Sequence, residues 1–180
     1  MKKQINVFDY AGTIMKDLSL CVLLTTKANG RVNTMSISWG SLGIEWNKAI
    51  FTTYVREERF SRELLDANGE FTVNIPMEGS DLSLIGKCGS VSGRDTDKIA
   101  VNNLTLVEGE KVSVPAIKEY PLTLECRVTY KQLQDDNAIA PEDTAKFYKP
   151  GYGGTHIAYF GEIVAAYVIA EADNANGPSD

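Results

Sequence analysis

Asn33-Thr34-Met35-Ser36-Ile37-Ser38-Trp39, followed by Gly40, is the stretch from which the rest of the chain can be ordered. On a strand its side chains alternate between two faces. Thr34, Ser36 and Ser38 share one face, and Asn33, Met35, Ile37 and Trp39 share the other. Three hydroxyls beside a buried-looking Met/Ile/Trp row make a platform that can hydrogen-bond a flat polar ligand. The same pattern also describes a strand whose hydroxyls simply face water. The flanking segments add the information that the heptad lacks.

Upstream, residues 6–17 form an entry segment with a short helix. Ser19 to Thr26 is rich in β-formers, and Asn29-Gly30 is a hairpin signal that makes Arg31 to Trp39 the returning strand. Downstream, a glycine-containing loop over Ser41 to Asn47 precedes a strand at Lys48 to Val55. Glu57 to Ala67 has helical spacing of Phe60, Leu64 and Leu65, with Asn68-Gly69 as its stop. Glu70 to Ile75 is a strand halted by Pro76, and Asp81 to Cys88 is a second short helix. A polar loop over Ser90 to Lys98 leads into a helical turn, and Leu104 to Val107 is a short strand. Leu122 to Leu133 alternates, with Leu122, Leu124, Cys126, Val128 and Tyr130 on one face. Asp135 to Gly154 is a long polar loop, and His156 to Ile169 is the last strand, with a bulge expected at Gly161.

Six or seven strands, two short helices and no strand–helix alternation predict a mostly β barrel rather than a doubly wound sheet. The 180 residues show no break in composition, so a single domain over 1–180 is expected, with 1–10 and 171–180 as less ordered ends. With 43% hydrophobic and 23% charged residues the chain can bury a real core.

Several functions are disfavoured. A formal net charge of -6 argues against non-specific nucleic-acid binding. No apolar run is long enough to span a bilayer and no signal peptide is visible, so a cytoplasmic protein that does not enter membranes is expected. Three cysteines without metal-ligand spacing and a single histidine, His156, predict reduced thiols and no metal site. There is no Walker A motif, no GxGxxG and no nucleophile–base–acid series.

Two further stretches carry charge beside possible backbone donors. In Tyr54-Val55-Arg56-Glu57-Glu58-Arg59-Phe60-Ser61-Arg62, arginines recur every three residues where a strand meets a helix, and Ser61 is placed to cap that helix. Such a helix start with Arg forks binds phosphate, although Glu57 and Glu58 could instead neutralise the arginines on a solvated face. In Ser92-Gly93-Arg94-Asp95-Thr96-Asp97-Lys98, Gly93 permits a tight turn while Arg94 and Lys98 add positive charge.

Taken in order, these segments resemble the flavin reductase-like family, the FMN-binding split barrels that include flavoredoxin. The resemblance lies in NTMSISWG (33–40), YVREERFSRELL (54–65), FTVNIP (71–76), SGRDTDK (92–98), PLTLECRV (121–128) and His156 to Ile163. It implies a Greek-key split barrel that forms a homodimer and binds FMN near the dimer interface. Asn33, Thr34, Met35, Ser36 and Ser38 would line the isoalloxazine ring. Tyr54, Val55 and Arg56 would hold the ring edge and ribityl chain. Arg59, Ser61 and Lys98 would hold the phosphate, with Arg94 adding charge.

The implied activity is that of an NAD(P)H-dependent flavin reductase, an oxidoreductase passing electrons to free flavin or a redox partner. His156 falls where nicotinamide-using members place a histidine, but Thr155 stands where many carry an acid. That departure keeps open a flavoredoxin-like electron carrier with no nicotinamide site; a β-barrel binding protein that has lost its cofactor is a third reading. In either flavin reading the protein positions the cofactor, and the electron chemistry is the flavin's own.

Overall fold

The structure is a computed structural model that describes residues 1–170; the expectation about the tail at 171–180 lies outside the described residues. In chain order the elements are β1 (Lys2–Gln4), α1 (Ala11–Leu20), β2 (Val22–Ala28), β3 (Arg31–Ile37), β4 (Gly40–Glu45) and β5 (Lys48–Arg56). Then come α2 (Phe60–Asn68), β6 (Glu70–Ile75), α3 (Ser83–Gly89), α4 (Lys98–Val101), β7 (Leu106–Val107) and β8 (Ala116–Ile117). The chain continues through β9 (Leu122–Leu133), α5 (Pro141–Phe147) and β10 (His156–Ile169).

The main sheet runs β3-β2-β6-β9-β10-β5-β4, every pair antiparallel, with β1 added to the far half of β10. It is not closed: β3 and β4 are its two edges, joined only by Ser38-Trp39. The sheet curls around one apolar core. Period-two alternation supplies it with Leu24 from β2, Met35 and Ile37 from β3, Phe51 from β5, Val73 from β6 and Leu124 from β9, and Ile14 and Leu18 of α1 plug its end. A second cluster around Leu23, Leu84, Ile117 and Tyr120 lies on the other side of β2 and β6, under α3 and the 104–120 segment.

That second layer corrects the reading of the heptad. Thr34 is fully buried: its hydroxyl bonds Leu24 O and Thr25 Oγ1, in a polar ladder that continues through Asn74 to Thr72. The hydroxyl face is covered protein, not open platform, until Ser36. β3 ends at Ile37, so Ser38 and Trp39 lie beyond it, and Trp39 is half-exposed rather than part of a buried row.

Other differences have local causes. The glycine-containing stretch over Ser41 to Asn47 is not a loop but mostly β4, and the turn that pairs it with β5 uses Trp46 (φ 50°) and Asn47 (φ 57°) instead of a glycine signal. The Asn29-Gly30 turn, with φ of 51° and 75°, forms where expected. Residues 1–10 are not a loose end: Lys2, Lys3 and Gln4 pair with β10. α5 lies inside the expected loop, because Pro141 sits at its first turn with Glu142 and Asp143, where proline starts a helix rather than breaking one. β10 shifts register at Gly161, as expected; a Cβ there would come within 2.5 Å of the Phe71 ring. Among the described residues no helix is long and apolar enough to cross a membrane, and no group of three metal-ligating side chains is present.

Candidate functional site

A groove runs along β3 toward Trp39, made of two cavities of about 320 and 220 Å³ that share a wall of Met35, Arg56 and Arg59. The larger lies between the start of α2 and the 89–94 loop; Asn33, Ser61, Arg94 and Lys98 also line it. The smaller lies at the Trp39 end and is lined by Ser36, Ser38, Tyr54 and His156. Eleven of the thirteen side chains expected at a site therefore meet in one groove. The exceptions are Thr34, turned into the polar ladder, and Val55, fully buried in the sheet's core.

The groove depends on close backbone approach. A Cβ on Gly93 would fall 2.1 Å from Asn33 Oδ1, and one on Gly89 would fall 2.2 Å from Ser36 Oγ. The 89–93 loop thus lies against β3 only because both residues are glycine. Asn33 is held in turn by its Nδ2, which donates to Ser61 Oγ at 2.8 Å. This corrects the expected role of Ser61: α2 begins at Phe60, its N-cap residue is Arg59, and Ser61 lies inside the helix as a buried acceptor. No side chain caps the start of α2; the Arg62 N–H donates to Arg59 O at 3.0 Å, and the N–H groups of Phe60 and Ser61 are left to meet a ligand.

Four cations line the larger cavity against one carboxylate, Glu58, but they are not equivalent. Arg56 donates 2.8 Å bonds to Gly154 O and Phe147 O, clamping the 147–154 segment. Arg94 donates to Glu58 O and pairs with Glu63, so its charge is largely matched. Lys98 is buried and donates to Cys88 O and Thr34 O at 2.7 and 3.0 Å, leaving one N–H. Its burial lowers its pKa; the neighbouring Cys88 acts in the opposite direction and Arg59 in the same one. Arg59 is exposed, and its side chain makes no hydrogen bond or ion pair among the described residues.

At the other end His156 lines the smaller cavity but is only 6% exposed. Trp39 covers it at 4.8 Å between ring centroids, and Tyr148 Oη lies 3.0 Å from Nδ1. Tyr148 also donates to Gln134 Oε1 at 3.1 Å. Burial, reinforced by Arg56 and Arg59, drives the His156 pKa down to about 4, so the ring is neutral at pH 7. Trp39, Phe147 and Tyr148 were missed as site residues. The one sequence signal was the cluster of aromatics at 147, 148 and 152 in a long polar segment.

Residues 19–177 match the family model described as "Flavin reductase like domain". The chain belongs to the flavin reductase-like family. Every candidate residue, from Asn33 to His156, lies inside that match. A flavoredoxin from Methanosarcina acetivorans is 30% identical, with a TM-score of 0.62 over 83% of this chain and 68% of its own. A flavin reductase-like protein with a split barrel domain from Shewanella frigidimarina superposes with a TM-score of 0.64 over 98% of this chain and 81% of its own; at 20% identity it shows the fold alone. An uncharacterised Archaeoglobus fulgidus protein is 32% identical over 107 residues, 59% of this chain and 59% of that protein. The chain therefore spans about three-fifths of the length of the curated relatives it matches. The family's split-barrel fold accounts for the open sheet, with β3, one of its edges, running along the groove.

Proposed function

We propose that this protein binds FMN in the groove along β3 and works as an oxidoreductase through it. The observation that carries this reading is the groove's two-ended chemistry: an uncapped helix start with unpaired Arg59 at one end, and Trp39, Tyr54 and neutral His156 at the other. FMN has the same two ends, a phosphate and a planar ring, and when bound it supplies the electron-transfer chemistry. Arg59, the α2 N–H groups and the third Nζ–H of Lys98 would meet the phosphate. Met35 and Ser36 would support the ring. The finer reading is a flavin reductase that takes hydride from NADH or NADPH and passes electrons to free flavin or a redox partner. A homodimer goes with it, supported by exposed Ile44, Trp46 and Tyr130 near the β4 edge.

A specific observation favours a second reading. His156 is covered by Trp39 and Tyr148 rather than free to orient a nicotinamide, which suits an electron carrier without its own nicotinamide site. The absorption spectrum of the purified protein, before and after NADH in the absence of air, separates these. A flavin spectrum bleached by NADH supports the reductase, and one bleached only photochemically supports the carrier. No flavin absorption and no uptake of added FMN refutes both. Sedimentation at micromolar concentration is expected to give a dimer, and a flavin-loaded monomer refutes that part.

A further inference from the structure

Beyond the groove, on the other side of Trp39, lies a third cavity of about 460 Å³. Trp39 is the partition: Phe147 meets it edge-on at 5.1 Å between ring centroids, while His156 lies against it at 4.8 Å. Tyr54 and Ser38 also line both spaces, so an occupant of the cavity sits beside the aromatic end of the groove. The outer wall comes from the 134–148 segment, through Ile139, Phe147 and Tyr148. Of the groove's cations, Arg59 does not line this cavity, and Arg56 lies behind its wall, bonded to Phe147 O and set over the Tyr148 ring at 5.4 Å from its centroid, so Asp143 is the charge that faces the space.

The wall chemistry selects its occupant. Aromatic faces and edges favour a flat ring. Asp143 is the one charged side chain in the wall, and residues 135–149 carry four carboxylates against Lys146 and Lys149. A carboxylate at such a rim repels anions and attracts cations. We infer that this cavity is a second ligand site, which takes a planar aromatic molecule that is neutral or positively charged and turns away anionic ones, nicotinamide dinucleotides included. The inference rests on the FMN reading only for the identity of the ring next door; binding to the cavity does not require it.

The test uses the protein as purified, carrying Trp46→Phe so that Trp39 is the one tryptophan. The probes are 2-methyl-1,4-naphthoquinone, which is neutral, and 1,4-naphthoquinone-2-sulfonate, which is anionic. Saturable quenching of Trp39 by the neutral quinone is expected, with at least tenfold weaker binding of the sulfonate. Asp143→Asn should narrow that gap to about threefold or less. Ile139→Tyr, or the milder Ile139→Phe, should weaken quinone binding at least tenfold while leaving the flavin absorption unchanged.

Equal binding of the two probes, parent-like binding by both filled variants, or displacement of flavin by the quinone overturns the inference. So does loss of the parent oligomer in the filled variants when the parent itself binds no quinone, since a second copy then occupies the cavity. A protein that neither carries nor takes up FMN defeats the groove reading, while the quinone titration still decides the cavity.

Discussion

Replacing Arg59 with alanine separates a phosphate site from a merely basic surface. Arg59 is the N-cap residue of α2, exposed, with no acceptor for its guanidinium among the described residues. Its neighbours differ: Arg56 is fixed to two carbonyls, Arg94 is matched by Glu63, and two donors of Lys98 are taken. A phosphate reaching Arg59 therefore displaces water only. A charge-assisted hydrogen bond contributes about 1.5–3 kcal/mol, and exposure places Arg59 at the low end. The expected loss is about 1.5–2 kcal/mol, or about 10- to 30-fold in the Kd for FMN at low salt. Riboflavin lacks the phosphate, so its affinity should change by less than about twofold. Arg94→Ala should cost about threefold or less for FMN, because Glu63 already neutralises that charge. The assay is quenching of flavin fluorescence by flavin-free protein, repeated at high salt, where the Arg59 effect should shrink. Equal losses for FMN and riboflavin, or an Arg94 loss as large as that of Arg59, refute the assignment.

Gly93→Ala would drive a Cβ into Asn33 Oδ1 at 2.1 Å and the Phe60 ring at 3.0 Å, so urea unfolding should show about 1–3 kcal/mol of destabilisation; an unchanged midpoint refutes the close approach. His156 is held neutral, with a pKa near 4 in the fold against 6.5 for the free side chain. Its contribution is complete above pH 6.5 and is lost as pH falls toward 4, by about 3 kcal/mol. The parent should therefore lose about that much more stability than His156→Gln between pH 7 and pH 4, and parallel losses contradict the buried neutral ring. Glu125 is fully buried and accepts the N–H groups of Glu110, Lys111 and Val112 and the hydroxyl of Tyr167. Glu125→Leu strands all four donors, so thermal unfolding should report a loss of about 3 kcal/mol or more; a smaller loss than that of Gly93→Ala tells against the network.

How much of this was legible in advance differs from element to element. β6, β9 and β10 begin and end at the expected residues, because alternation and glycine or proline stops are local signals. The basic stretch at 56–62 and the 92–98 loop were visible as charge beside glycine and a helix start. The family followed from the order of those segments, since order along the chain needs no folding to be seen.

What each side chain faces depended on layers that meet only in the fold. The hydroxyl row of β3 looks open in sequence, but α3 and α4 pack on β3, with Lys98 of α4 donating to Thr34 O, and leave only Ser36 and Ser38 of that row at the groove. Five basic residues read alike along the chain. Carbonyls and carboxylates brought from up to 98 residues away tie four of them, Arg56, Arg62, Arg94 and Lys98, and leave Arg59 alone. Trp39 and Phe147 are 108 positions apart in the chain and touch only because β10 returns the 134–148 segment to the β3–β4 corner. Pattern and order are properties of neighbours in sequence, whereas cover, pairing and partition are set by residues that sequence keeps far apart.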